Sequence, residues 1–251
     1  MGEILMGAAF FLMLSCGTVD YVKKYPKMIA NVEPFSVGTI EAQFDRMLSS
    51  KLNKTEINVV FHPRLAAVAL EFKYELFTHR QFWDEEGRKQ FAAALERYKA
   101  DYAERNLINK PRRTRAIYGK VQGQSEWEAS KLTKTRAAFP VISLGYRFKN
   151  DMPYFMTLMR SAPEYDDSAG TPNLGDSPQI TMYFTRAQAD ELVKLFDQNY
   201  LMASLESNTG LKAEDTKGFL GIDWSLFKRK DSSKPDRSAM GDSYEEDEGE
   251  Q

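Results

Sequence analysis

Between residues 68 and 76 apolar and polar side chains alternate without a break. Val68, Leu70, Phe72, Tyr74 and Leu76 fall on one side, and Ala69, Glu71, Lys73 and Glu75 on the other. A period of two predicts a strand with one face on a core and one in water, the usual state of an antiparallel sheet. Residues 57–61 read as another strand, and His62-Pro63-Arg64 turns the chain between the two. Upstream, Ile40, Phe44, Met47 and Leu48 recur at helical spacing and predict a short helix that stops at Asn53. Downstream, Phe82-Trp83 leads into Asp84, a helix cap, with Glu85 and Glu86 placed where carboxylates suit the helix dipole. The helix that follows runs to about Arg105, and Phe91, Leu95, Tyr98 and Tyr102 form its apolar stripe.

The second half is strand-rich. Residues 115–121 continue in pattern to Trp127, residues 139–148 and 154–161 follow, and Asn150-Asp151-Met152-Pro153 between the last two predicts a hairpin. Residues 162–178 read as a long loop and residues 180–184 as a strand. Thr185-Arg186-Ala187-Gln188 is a capping box that opens a second helix, with Ala189, Leu192, Val193, Phe196 and Tyr200 as its stripe. Two units therefore share one layout: a strand ending in an aromatic pair, a cap, then an amphipathic helix. The expected fold is α+β, an antiparallel sheet of about five to six strands with two amphipathic helices packed on one face. It occupies residues 36–206, ahead of a polar, mostly disordered tail at 207–251. That tail holds one apolar island, residues 218–227, before it turns acidic.

The N-terminus has a different character. Residues 4–14 are almost wholly apolar, and Ser15 and Cys16, the only cysteine, follow at once. The run is too short to span a bilayer, which takes roughly 20 residues, and has the length of a signal-peptide core. A small residue immediately before a lone cysteine resembles the processing site of bacterial lipoproteins. Met1-Gly2-Glu3 lacks the basic residue usual there, and Leu12 stands one position from where that family most often has a leucine. The resemblance implies a signal peptide at 1–15, cleavage before Cys16, lipid on that cysteine, and a tether over 16–35. The alternative from the residues is a buried N-terminal helix with a structural cysteine.

The hydrophobic fraction of 42% allows a sizeable core, and a net charge of −2 argues against a global field for nucleic acid or acidic substrates. Catalytic groups are sparse. The only histidines, His62 and His79, read as surface or half-buried structural residues, and neither a Gly-x-Ser-x-Gly elbow nor a phosphate loop is present. Activity as an enzyme is the less favoured reading, and no cofactor is implied. Glu164, Asp166, Asp167 and Asp176 gather carboxylates in one loop without the EF-hand spacing, so a solvated loop is preferred to a metal site. The candidate binding residues are Lys110, Arg112, Arg113, Arg115 and Lys120, with Lys131, Lys134 and Arg136 nearby and Tyr118, Trp127, Tyr146 and Phe148 interleaved. Such a set can track phosphates while its rings stack on bases. The four-strands-then-helix order also resembles the layout of the Whirly and PUR-type single-strand binders. The preferred reading remains an exported, lipid-anchored envelope protein, a binding or structural module. Its expected partners are the membrane and an envelope protein, and single-strand nucleic-acid binding is the alternative.

Overall fold

The computed structural model describes residues 28–46, 49–110, 113–129, 135–165 and 172–211. The described chain leads into a long antiparallel hairpin, β1 (Phe35–Arg46) on β2 (Ser49–His62), paired from Phe35↔Phe61 to Arg46↔Ser49 with the register shifting between Ser36 and Gly38 and again between Asp45 and Arg46. This replaces the short helix expected over residues 40–53. Ile40 and Phe44 are four apart, which suits a helix, but with Ala42 they also fit a period of two, and all three are buried on one face. The β-branched Thr55, Ile57 and Val59 opposite favour the extended form. β3 (Ala67–Tyr74) and β4 (Phe77–Trp83) complete a four-strand meander. Val68, Leu70 and Phe72 of β3 face the core as expected, but Ala69 on the face expected in water is buried too, in a second apolar cluster with Val60, Ala67 and Phe82. Leu76 instead lies in the β3–β4 turn beside Glu75, which has a left-handed φ of 55°, and is 84% exposed.

The remaining strands are β5 (Arg115–Gln122), β6 (Gln124–Glu128), β7 (Arg136–Ala138), β8 (Val141–Lys149), β9 (Met152–Met159), β10 (Pro163–Tyr165), β11 (Pro172–Asp176) and β12 (Ile180–Phe184). Among the described residues all twelve belong to one sheet, in the order β11-β10-β7-β6-β4-β3-β2-β1-β12-β9-β8-β5. Gly123 alone links β5 to β6, yet these two lie eight places apart in that order. Eight steps across a flat sheet would separate them by about 38 Å, while the linking residues reach only about 7 Å. The sheet must therefore roll. The links β7–β8, β9–β10 and β11–β12 cross the same eight-place interval. The second half is thus four long strands, each bent at a common seam and changing partners there, and the whole forms an antiparallel half-barrel.

The seam is stitched by hydrogen bonds. The Gly123 N–H donates to the Pro140 carbonyl (3.0 Å), the Arg160 N–H to that of Val141 (3.1 Å) and the Ser177 N–H to that of Ala162 (2.7 Å). Ser161 Oγ donates to the Ser177 carbonyl, and Ser177 Oγ accepts from the Ala162 N–H. These bonds satisfy backbone groups that the broken ladders would otherwise leave unpaired.

Three helices lie on the concave side: α1 (Glu85–Ala103), α2 (Arg186–Phe196) and α3 (Gln198–Thr209). Asp84 caps α1 by accepting from the Gly87 N–H, and the Thr185–Gln188 capping box opens α2, both as expected. Asp197 ends α2 and caps α3, so Tyr200 belongs to a third helix rather than to the stripe of the second. Phe91 of α1 is fully buried, with the rings of Trp83, Phe155, Phe184 and Phe196 between 5.1 and 6.3 Å from its own. Arg88 is also buried. Its guanidinium donates to the carbonyls of Phe196 (3.1 Å) and Trp83 (3.2 Å) and to Gln198 Oε1 (2.6 Å), tying α1 to the α2–α3 junction.

Twelve strands and three helices among the described residues thus correct the expected five to six strands and two helices. The differences are the β1–β2 hairpin, the four bends, the break at Asp197, and the short strands β10 and β11 inside the expected loop over residues 162–178. Phe91→Ala removes the ring on which four others converge. We expect it to lower the unfolding free energy by about 3–5 kcal/mol, as large core truncations do, read by chemical denaturation.

Candidate ligand pocket

Helix α1 ends by a change of hand. The Asn106 N–H donates to the Asp101 carbonyl (2.8 Å) and the Arg105 N–H to that of Tyr102 (3.2 Å). Those two bonds define a Schellman termination, and they place Arg105 at the left-handed position, φ 58°. Glycine is the usual occupant there, and a residue with a side chain pays about 1 kcal/mol for the conformation. The loop that follows is pinned at three points. The Ile108 N–H donates to Tyr146 Oη (2.9 Å), Asn109 Nδ2 to Asp151 Oδ1 (3.2 Å), and the Phe148 N–H to the Thr114 carbonyl (2.8 Å). Asn150 and Asp151 both have positive φ, as the two-residue turn of the predicted β8–β9 hairpin requires.

Between this loop, the end of β8, the start of β9 and the first turn of α2 lies a pocket of about 540 Å³, lined by Tyr102, Ala103, Arg105, Leu107, Phe148, Pro153 and Arg186. Leu107 and Phe148 also rest on the core. Tyr98 Oη, beneath the pocket, donates to the Pro153 carbonyl (2.9 Å), and burial pushes its pKa up to about 12. The Arg186 guanidinium stacks on the Tyr102 ring at 3.8 Å. Stacking uses the face of the planar group and leaves its N–H edge available to an acceptor. Among the described residues neither Arg105 nor Arg186 is ion-paired with a carboxylate. The pocket therefore combines apolar walls with two cations.

None of the described basic residues picked out from the sequence lines this pocket. Lys110 and Arg113 form a β-bridge that closes the same loop, with backbone bonds of 3.1 and 2.9 Å. Arg115 and Lys120 are on β5, opposite Arg147 and Ser143. Arg112, Lys131 and Lys134 lie outside the described residues. Of the rings offered for base stacking, Tyr146 and Trp127 are each 3% exposed, Tyr118 packs on Tyr146 with its hydroxyl donating to Asp101 Oδ2 (2.6 Å), and Phe148 is half-buried and lines the pocket. Burial and that carboxylate hold the Tyr118 phenol well above its usual range. Arg105 and Arg186 escaped the sequence reading because each had another role there, one as a helix end and one inside a capping box.

Glu164 is buried with Arg136 Nη1 at 4.0 Å, while Asp176 is exposed. Asp166 and Asp167 lie outside the described residues, as does Cys16. Among the described residues no group of three or more His, Cys, Asp or Glu is placed to hold a metal ion, and no helix is long and apolar enough to cross a membrane.

His79, expected as a surface or half-buried structural residue, is instead fully buried. It is 1% exposed, stacks on Phe72 at 5.6 Å, and neither ring nitrogen has a hydrogen-bond partner. Burial lowers its pKa to about 4; His62 is lowered to about 4 as well, by burial and then by Arg80.

A family model described as "Uncharacterised Treponema protein" matches residues 34–203. The chain is similar to an "Uncharacterized protein" of Treponema pallidum (strain Nichols), with 24% identity over 174 residues, 69% of this chain and 60% of that protein. It thus spans about three fifths of the length of the curated relative it matches. No solved structure matches.

The histidines give the fold a defined pH dependence. The unfolded chain protonates each near 6.5 and the native chain only near 4, so the unfolded state binds more protons between these values. Stability is therefore expected to fall as pH drops from about 6.5 toward 4. His79→Phe keeps a ring against Phe72 and removes one titrating group. It should reduce that decline by on the order of 2–3 kcal/mol, measured by denaturant titration at several pH values. An unchanged pH profile in the variant would contradict the assignment.

Proposed function

The chain belongs to the family of uncharacterised Treponema proteins, whose matched region takes in the whole rolled sheet, and we propose that it is an exported, lipid-anchored envelope protein whose folded part is a binding module. The export half of this reading is supported by the apolar run over residues 4–14 followed by Ser15-Cys16. The family match begins at residue 34 and so takes in only the last two residues of the segment read as signal and tether. The binding half is supported by one observation above all: the pocket at the end of α1 holds two arginines not ion-paired to any carboxylate among the described residues, on a floor of apolar side chains. Charged groups beside apolar surface fix the orientation of a ligand, and the site is an open cleft with Arg105 and Arg186 exposed at its rim.

On this reading the membrane is held through lipid on Cys16. One acyl chain anchors weakly and several anchor firmly, so stable retention implies more than one. An envelope protein is the further partner we propose.

Detergent phase partitioning with intact-mass analysis tests the anchor. The native chain should enter the detergent phase, begin at Cys16 and carry acyl mass, and Cys16→Ala should do none of these. A native chain that is soluble, unmodified and begins at Met1 would overturn the lipid-anchored reading.

A further inference from the structure

We propose that the pocket at the end of α1 binds a small organic monoanion: a carboxylate held between Arg105 and Arg186, on a flat apolar body lying against Tyr102, Phe148 and Pro153. The proposal rests on the binding-module reading and names the ligand class of that module.

Three features of the site converge on this chemistry. The first is charge. Two arginines line one pocket, and among the described residues no Asp or Glu lines it with them. Guanidinium is the side-chain cation best matched to a planar carboxylate, because its N–H donors meet both oxygens at once. Arg186 is already oriented by the Tyr102 ring at 3.8 Å, so little of its freedom remains to be lost on binding.

The second is the wall. Ala103, Leu107, Phe148 and Pro153 supply no side-chain polar group to the pocket. A hydrated inorganic anion such as phosphate would leave water for these surfaces and lose hydrogen bonds, whereas a ligand with an apolar body buries area against them. The rings of Tyr102 and Phe148 favour a flat body, since offset and edge-on ring contacts add to the burial.

The third is the backbone of Arg105. A left-handed φ of 58° at a helix terminus suits glycine, and arginine keeps that place at a conformational cost. A guanidinium at the pocket rim is what glycine could not provide. Stability and binding should therefore move in opposite directions at this one residue.

The test uses the full chain and 2-naphthoate as probe, with 2-naphthalenemethanol as its uncharged counterpart, and with acetate and inorganic phosphate as anions lacking the body. Isothermal titration should show 2-naphthoate binding at least tenfold tighter than each of the other three, with affinity falling as salt rises. Arg105→Gly should weaken 2-naphthoate at least tenfold while raising the melting temperature. Arg186→Gln should weaken it by a similar factor. Equal binding of the alcohol, equal binding of phosphate, or unchanged affinity in Arg105→Gly would each overturn the proposal, as would no binding of 2-naphthoate. Any of these with detergent partitioning intact removes the ligand class and leaves the lipid-anchored reading standing.

Discussion

A chain that passes from β5 to β6 through Gly123 alone can do so only if the sheet rolls until the two strands meet. That covalent constraint organises the rest of the molecule. It bends four strands at one seam, gives each two sets of partners, and turns the sheet's inner face into a trough that must be filled. Helix α1 fills it. Phe91 sits at the centre with four aromatic rings around it, and Trp83 at the end of β4 delivers the chain from the sheet into the helix. The buried Arg88 then fixes the second helical unit to the first, with every hydrogen bond aimed at a carbonyl or an amide oxygen.

Buried polar groups divide into two kinds in this fold. Arg88 is satisfied, and desolvation lowers its pKa without leaving it unpartnered. His79 and Thr157 face the interior with polar atoms that have no partner. An unpartnered buried group costs free energy that well-packed apolar surroundings must offset. The aromatic setting of His79, with Phe72, Tyr74 and Phe77 about it, keeps the ring neutral over the physiological range.

The pocket belongs to neither sheet nor helix alone. α1 contributes Tyr102 and Ala103, its terminating loop Arg105 and Leu107, the β8–β9 hairpin Phe148 and Pro153, and α2 Arg186. Helix termination, a two-residue turn and a capping box are each local events, and the roll of the sheet brings their ends to one place. The carbonyl of Pro153 is held by Tyr98 from below, so the floor is part of the core while the rim, with both arginines, faces solvent.

Local chemistry was legible in the sequence wherever one residue's neighbours in the chain decide the outcome. The apolar period of β3, the Asp84 cap with its acidic first turn, the Thr185–Gln188 capping box and a hairpin connection within residues 150–153 all depend on contacts within a few residues, and all were read from residue type and spacing. The hairpin over residues 35–62 was not, because Ile40 and Phe44 satisfy both periods and only β2 alongside chooses between them. Nor were the bends, because a strand that changes partners keeps its period on either side of the change. Arg105 and Arg186 meet across a pocket only after the sheet has rolled, and nothing in either one's surroundings along the chain signals the other. Pattern and caps are properties of neighbours in sequence, whereas partner choice, closure and the pocket depend on contacts between segments far apart in the chain, which tertiary packing alone decides.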